Sequence, residues 1–440
     1  MRRTEKIVCR TVQTVFRAAL PFLPYREPEI LHRVSEIPRI LQEHKIRSVL
    51  LVTDGELRRL GLTKELERAL AMAKIRCGIY DRVTANPTIQ QVEEARRVYL
   101  HCKAEAIIAF GGGSAIDCAK VTGARIACPK KQVHRMKGLL RIHRALPLLI
   151  AVPTTAGTGS ETTLAAVITD SGRKHKYPIN DFCLIPRYAV LDYRVTLGLP
   201  PKITATTGMD ALTHAIEAYI GRSTTAETRW MAEHATGLIY RNLERAYRNG
   251  QDAEARENLL QAAYWAGIAF SRSYVGYVHA VAHSLGGEYG VPHGLANAVI
   301  LPYFLEEYGS ACRRKLARLA RKSGIVTKHT SDRRAAEALL CWIKEMNRQM
   351  DIPTCISQLR QEDIPKLARH AASEGNPLYP VPVLMDAGEL ARMYEKIMEK
   401  GETDGTDCRE TKTVFPQRKT HYTILPKSGT AAAGECHSES

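Results

Sequence analysis

Between residues 48 and 193 the chain alternates short apolar runs with amphipathic stretches of helical length, and this pattern restricts the fold more than any other feature. SVLLVTD, RCGIYD and EAIIAF read as buried strands; GELRRLGLTKELERALAMAK, IQQVEEARRVYLHC and SAIDCAKVTGARIA follow them and read as helices. PLLIAVP, TLAAVIT and YAVLDY continue the strand series. Strands separated by single helices predict βαβ units and a mostly parallel sheet, because parallel neighbours need a crossover. Past LGLPP (197–201) the strand signal stops. DALTHAIEAYI, TTAETRWMAEHATGLIYRNLERAYR, AEARENLLQAAYWAGIAFSR and AAEALLCWIKEMNRQM all carry helical periodicity. The expected architecture is an α/β domain over residues 1–199 and an all-α domain over 200–400, with 401–440 as a poorly ordered tail rich in Gly, Ser, Thr and charge.

Charge and cysteine content narrow the partners. The net charge of +17 gathers in PKKQVHRMKGLLRIHRA (129–145) and RRKLARLARK (313–322). Neither block interleaves aromatics, which make up only 6% of the chain, so a solvated basic surface is expected and no nucleic-acid partner. Such a surface also favours anionic ligands, a dinucleotide among them. The N-terminal MRRTEKIVCRTVQTVFRAALPFLP has Arg17 inside its apolar part and no small-residue cleavage site, so it reads as a short surface helix before a transit peptide, and poorly as a secretory signal. No run is apolar enough to span a bilayer, and no membrane association is expected. Eleven scattered cysteines without a CxxC pair argue against a disulfide framework and a cysteine zinc site, and for a reduced, cytoplasmic setting.

Two loops invite a nucleotide. AIIAFGGGSAIDCAK (106–120) runs strand, three glycines, helix, which lets backbone approach a phosphate at a positive helix end. Gly112, Gly113 and Ser114 are the expected phosphate contacts; Ser114 and Asp117 also form an S-x-x-D capping box, and Asp117 is read as a cap. PTTAGTGSETT (153–163) offers hydroxyls for a ribose or pyrophosphate, or is simply a Thr-rich turn. Asp54 ends the first strand, where it can accept from both hydroxyls of an adenosine ribose or cap the next helix. It precedes the glycine turn instead of following it, so the domain is dinucleotide-binding without being a standard Rossmann unit.

The helical half holds the metal chemistry. GMDALTHAIEAY sets Asp210 and His214 at i and i+4 on one helix face, and VHAVAHSLGG does the same for His279 and His283. VPHG adds a loop histidine, His293, between Pro292 and Gly294. One carboxylate and several imidazoles suit a divalent first-row ion such as Fe²⁺ or Zn²⁺.

GGGSAIDCAK, PTTAGTGSE, GMDALTHAIEAY and HAVAHSLGGEYGVPHGLANAVILP, in that order and spacing, resemble the iron-containing alcohol dehydrogenase family over roughly residues 20–400. The resemblance implies the dehydroquinate synthase-like architecture, a nucleotide-binding α/β domain and a helical domain with the active site between them. It implies Asp210, His214, His279 and His293 as metal ligands, Fe²⁺ favoured over Zn²⁺, with His283 near the nicotinamide and substrate as the catalytic candidate. On the cofactor side it implies Asp54 as the acid favouring NAD over NADP, with Asn86, Gly112, Gly113, Ser114, Thr154, Thr155, Thr158, Thr163 and Lys176 as further contacts. The implied reaction interconverts a primary alcohol and its aldehyde by hydride exchange with NAD(H). A homodimer or higher homo-oligomer is expected. Glycerol or polyol dehydrogenase activity, or a dehydroquinate synthase-like lyase, is the alternative on the same scaffold; a basic nucleic-acid-binding protein on an inactive scaffold is a more distant one. Tyr193 stands where the family often has proline, and the tail after residue 400 has no counterpart in it.

Overall fold

Val49, Leu50, Leu51 and Val52 have no solvent access, as a strand covered on both faces requires. Their periodicity of two splits the burial between layers. Leu50 and Val52 join Ile107 and Ala109 under the helices of one face, while Val49 and Leu51 join Ile108 and Phe110 under those of the other.

The computed structural model describes residues 1–172 and 175–398. Helix α1 (Arg3–Ala19) precedes β1 (Glu29–Leu31), α2 (Ile37–Glu43), β2 (Ser48–Val52), α3 (Gly55–Arg59), α4 (Lys64–Met72), β3 (Arg76–Tyr80), α5 (Ile89–His101), β4 (Ala106–Gly111) and α6 (Gly113–Ala127). Next come β5 (Gly138–Leu139), β6 (Leu148–Pro153), β7 (Ala165–Asp170), β8 (His175–Asn180) and β9 (Tyr188–Val190). The rest is helical: α7 (Pro201–Ile220), α8 (Ala226–Arg248), α9 (Ala253–Ser273), α10 (Tyr277–Tyr289), α11 (His293–Tyr308), α12 (Arg313–Lys322), α13 (Asp332–Gln349), α14 (Ile364–Gly375) and α15 (Ala387–Ile397). The expected tail, 401–440, lies outside the described residues.

The main sheet has the order β1-β9-β6-β4-β2-β3 with every neighbour parallel. From β2 the chain steps outward to β3, then returns past β2 to β4 and continues the other way. The carboxyl ends of β2 and β4 therefore flank a topological switch point, where open parallel sheets bind their ligands. This explains why Asp54 can precede the glycine turn in sequence: both sit at the same crevice, on adjacent strands.

Two sequence expectations need correction here. GELRRLGLTKELERALAMAK forms two helices, α3 and α4, because Gly61 takes a left-handed φ of +76° between them. TLAAVIT is a strand but not part of the main sheet: β7 pairs antiparallel with β8, which pairs with β5 in a separate three-stranded sheet. Its burial alternates, unlike the continuous burial of β4, which marks a strand covered on one side. HKYPIN, with its proline and charges, offered no strand signal to reveal the partner.

Helix α1 packs on the helical half, not on the sheet. Arg10 Nη1 donates to Val381 O at 2.8 Å and Gln13 Nε2 to Tyr379 O at 2.7 Å. Helix α7 is buried almost throughout from Gly208 to Ile220 and packs against α8, α9 and α11. The basic run of α12 follows expectation: Leu316, Ala317, Leu319 and Ala320 are buried, and Arg313, Arg314 and Arg318 face water. Among the described residues no helix is long and apolar enough to cross a membrane.

The loop between β6 and β7 joins the two halves. A Cβ on Gly159 would lie 2.6 Å from the Gly267 Cα of α9, and one on Gly157 would lie 2.6 Å from Thr207 Cβ of α7. In Gly267→Ala the new methyl would sit 2.3 Å from Thr162 Oγ1. That variant is expected to lose about 1–3 kcal/mol of stability, measured by chemical denaturation; unchanged stability would show that the loop does not rest on α9.

Candidate metal centre and cofactor cleft

The nucleotide loops meet at the switch point. Gly112 is the N-cap of α6 and has no side chain to cap with, so no side chain competes with a ligand for the Gly113 and Ser114 N–H groups of the first turn. A Cβ on Gly113 would lie 3.0 Å from Thr158 Cγ2 and Oγ1, so the second loop stands directly against the glycine turn. Thr154 N donates to Gly111 O at 3.1 Å, and Thr155 flanks Gly112. Asp54 caps the helix that follows its strand. Its Oδ1 accepts from Leu57 N at 2.9 Å as the cap of α3, while Oδ2 is turned towards the glycine turn, 3.8 Å from where a Gly111 Cβ would stand.

Asp117 is not a cap. The helix begins at Gly113, so Asp117 lies beyond its first turn and faces inward, where it accepts from Ser160 Oγ at 2.7 Å and Val167 N at 2.9 Å. Thr163 sits behind the loop: it is buried, and its hydroxyl accepts from Lys120 Nζ at 2.9 Å. Lys120, wholly buried, also donates to the Thr163 and Ala165 carbonyls. Burial pulls its pKa down to about 8, opposed by Asp117 and Glu161. Asn86 takes a left-handed φ of +60° and accepts from Lys176 Nζ at 2.6 Å. Burial lowers the Lys176 pKa, opposed by Asp117 and Glu374.

Asp210, His214, His279 and His293 each offer a ligand atom, all within 4.8 Å of one another. Asp210 and His214 come from α7 and His279 from α10. His293 is not a loop residue: with Pro292 as N-cap it opens α11, whose apolar LANAVILP run carries the helix onward. His214 stacks between Phe270, at 4.1 Å, and His279, at 4.5 Å. His283, one turn beyond His279, stacks on His293 at 5.1 Å.

This donor set fits a divalent cation. Burial, reinforced by the neighbouring histidines, drives the His279 and His293 pKa values well below the ordinary imidazole range, so both keep their lone pairs. Burial lowers His214 likewise and raises Asp210, opposed by His214. The Asn297 amide shows where these acceptors converge. Its Nδ2 lies 2.7 Å from Asp210 Oδ1 and 3.2 Å from Nε2 of both His279 and His293, as a donor does in a pocket built for positive charge.

Sequence reasoning missed the supports. Glu217 accepts from His279 Nδ1 at 2.6 Å, Gly276 N at 2.8 Å and Val278 N at 2.9 Å. It therefore fixes the Nδ1–H tautomer and leaves Nε2 to face the other donors. The signal was there: Glu217 is three residues after His214 on the same helix, and Asn297 four after His293.

Hydride chemistry needs a redox nucleotide and a group that takes up charge on the substrate oxygen; the crevice suits the first and the donor set the second. The class is a metal-dependent, nucleotide-linked oxidoreductase. The chain belongs to the iron-containing alcohol dehydrogenase family: residues 31–193 match "Iron-containing alcohol dehydrogenase" and 204–398 match "Fe-containing alcohol dehydrogenase family, C-terminal". It is 34% identical over 350 residues to an NAD-dependent methanol dehydrogenase of Bacillus methanolicus, covering 78% of this chain and 92% of that one. It is 36% identical over 366 residues to a 1,3-propanediol dehydrogenase of Klebsiella pneumoniae, covering 82% and 94%. A solved 1,3-propanediol oxidoreductase superposes with a TM-score of 0.81 at 34% identity, covering 85% of this chain and 99% of that one. The protein is an NAD-dependent alcohol dehydrogenase that interconverts alcohol and aldehyde.

Glu217→Ala is expected to weaken divalent-metal affinity by about 10–100-fold, read by chelator competition. Glu217→Gln, which keeps an acceptor oxygen, loses less; equal affinities in all three proteins would remove Glu217 from the site.

Proposed function

We propose that Asp210, His214, His279 and His293 hold the catalytic ion, Fe²⁺ in preference to Zn²⁺, and that the substrate is a primary alcohol or its aldehyde. The convergence of four donors within 4.8 Å, three of them buried and His293 half-buried, carries this reading. When bound, the ion supplies Lewis acidity towards the alcohol oxygen, and NAD⁺ supplies the hydride acceptor. The chain's own part is to place and isolate them. Gly112, Gly113 and Ser114 present the α6 N-terminus to the pyrophosphate, with Thr154, Thr155 and Thr158 completing that wall. Asp54 receives the adenosine ribose through the oxygen its cap leaves unused. Asn86 and Lys176 line the route towards the metal centre, and Thr163, through Lys120, holds the loop from behind. His283 moves or holds a proton at the reacting end.

We also read the chain as two domains, 1–199 and 200–400, with α1 docked on the second, and as a cytoplasmic homodimer or larger homo-oligomer. The scattered cysteines support the reducing compartment.

Metal analysis of anaerobically purified protein, with a panel of alcohols and aldehydes against NAD(H) and NADP(H), tests the whole reading. His279→Ala is expected to abolish metal-dependent turnover while NADH binding, followed by its fluorescence, persists. Full activity of the metal-replete variant would remove His279 from the ligand set. Asp54→Gly is expected to narrow the kcat/KM preference for NAD over NADP; a parent that already prefers NADP would overturn the role of Asp54.

A further inference from the structure

Glu374 occupies the last turn of α14, where the negative end of the helix dipole disfavours a carboxylate. Its Oε1 accepts from His283 Nδ1 at 2.7 Å and from Tyr379 Oη at 2.7 Å. Both carboxylate and imidazole are about a quarter exposed, the side-chain accessibility being 27% for each, so the pair lies at the wall of the cleft and not in the core. Burial holds Tyr379 protonated, so its hydroxyl donates.

Behind Tyr379 the packing is aromatic. The Tyr379 ring is 6.3 Å from that of Tyr274, which in turn meets Phe16 of α1 edge-on at 4.9 Å. Tyr274 has φ +63° and ψ 170°, a backbone conformation that side-chain-bearing residues adopt at a cost of about 1–3 kcal/mol. A dipole-opposed carboxylate and a strained tyrosine, two departures from local preference joined in one network, mark a site shaped for more than stability.

We propose that Glu374 is a positioning residue for the reaction, acting through His283. By accepting from Nδ1–H it fixes one tautomer and one ring orientation, and leaves Nε2 as the nitrogen free to hold or receive the proton at the reacting end. Tyr379 holds the carboxylate in place by its second hydrogen bond. The arrangement parallels Glu217 on His279: each of the two α10 histidines has a carboxylate behind its Nδ1, one serving the metal centre and the other the proton. This rests on the reading of His283 given above.

A double-mutant cycle on the metal-replete enzyme tests it. Glu374→Ala is expected to lower kcat by about 10–100-fold with KM for the alcohol and NADH affinity little changed, and Glu374→Gln, which keeps an acceptor, to recover part of the loss. The Glu374→Ala/His283→Ala protein is expected to be no slower than His283→Ala alone. In ¹⁵N-histidine-labelled protein without added ligands, the His283 resonances are expected to report the Nδ1–H tautomer in the parent and a tautomer mixture in Glu374→Ala. Losses that multiply in the double variant, or an unchanged tautomer, overturn the role of Glu374 and leave His283 standing. A fully active His283→Ala overturns the reading of His283 itself, and the proposal with it.

Discussion

Asp210 is a carboxylate almost without access to water, and most of the helical half is arranged around the cost of keeping it there. A buried anion needs compensating charge or donors, and among the described residues the hydrogen-bond donor to the Asp210 side chain is a single amide, that of Asn297. Burial lowers the pKa of each of the three imidazoles that crowd it, which favours their neutral forms. Such a set suits a cation. The apolar burial of α7, its contacts with α9 and α11, and the stacking of His214 on Phe270 hold these side chains together.

The second layer of the site follows from the same constraint. An imidazole that must present Nε2 has to bury or satisfy Nδ1, and Glu217 satisfies that of His279 while also closing the first turn of α10 through the Gly276 and Val278 amides. One carboxylate thus sets a ligand's tautomer and the start of the helix that carries it. The cofactor side is built in a comparable way: Lys120 and Asp117, both directed inward from α6, clamp the threonine loop that faces the glycine turn.

What the sequence revealed and what it hid divide along physical lines. Period and spacing made the parallel sheet, the helical half and the pairing of Asp210 with His214 and of His279 with His283 legible, because these depend on which residues share one face of one element. The strand-end position of Asp54 was legible for the same reason, and its placement beside the glycine turn became intelligible only through the strand order. What stayed hidden depends on contacts between elements distant in sequence: Glu374 meeting His283, Asp117 meeting Ser160, β7 leaving the main sheet to pair with β8. Asp117 was misread because a capping box is a local pattern, and local patterns do not say where a helix starts. His293 was misread for the converse reason, proline and glycine around it suggesting a loop where the proline in fact opens a helix.

The meeting of Gly159 with Gly267, and of Gly157 with Thr207, puts backbone against backbone where side chains would ordinarily intervene. Surfaces in such contact have no cushion of rotamers to absorb sliding, so sheet and helices cannot shear past one another there. The loop that carries Thr154, Thr155 and Thr158 is itself part of this seam, so a side chain added at Gly157 or Gly159 would displace the threonines and the helices together.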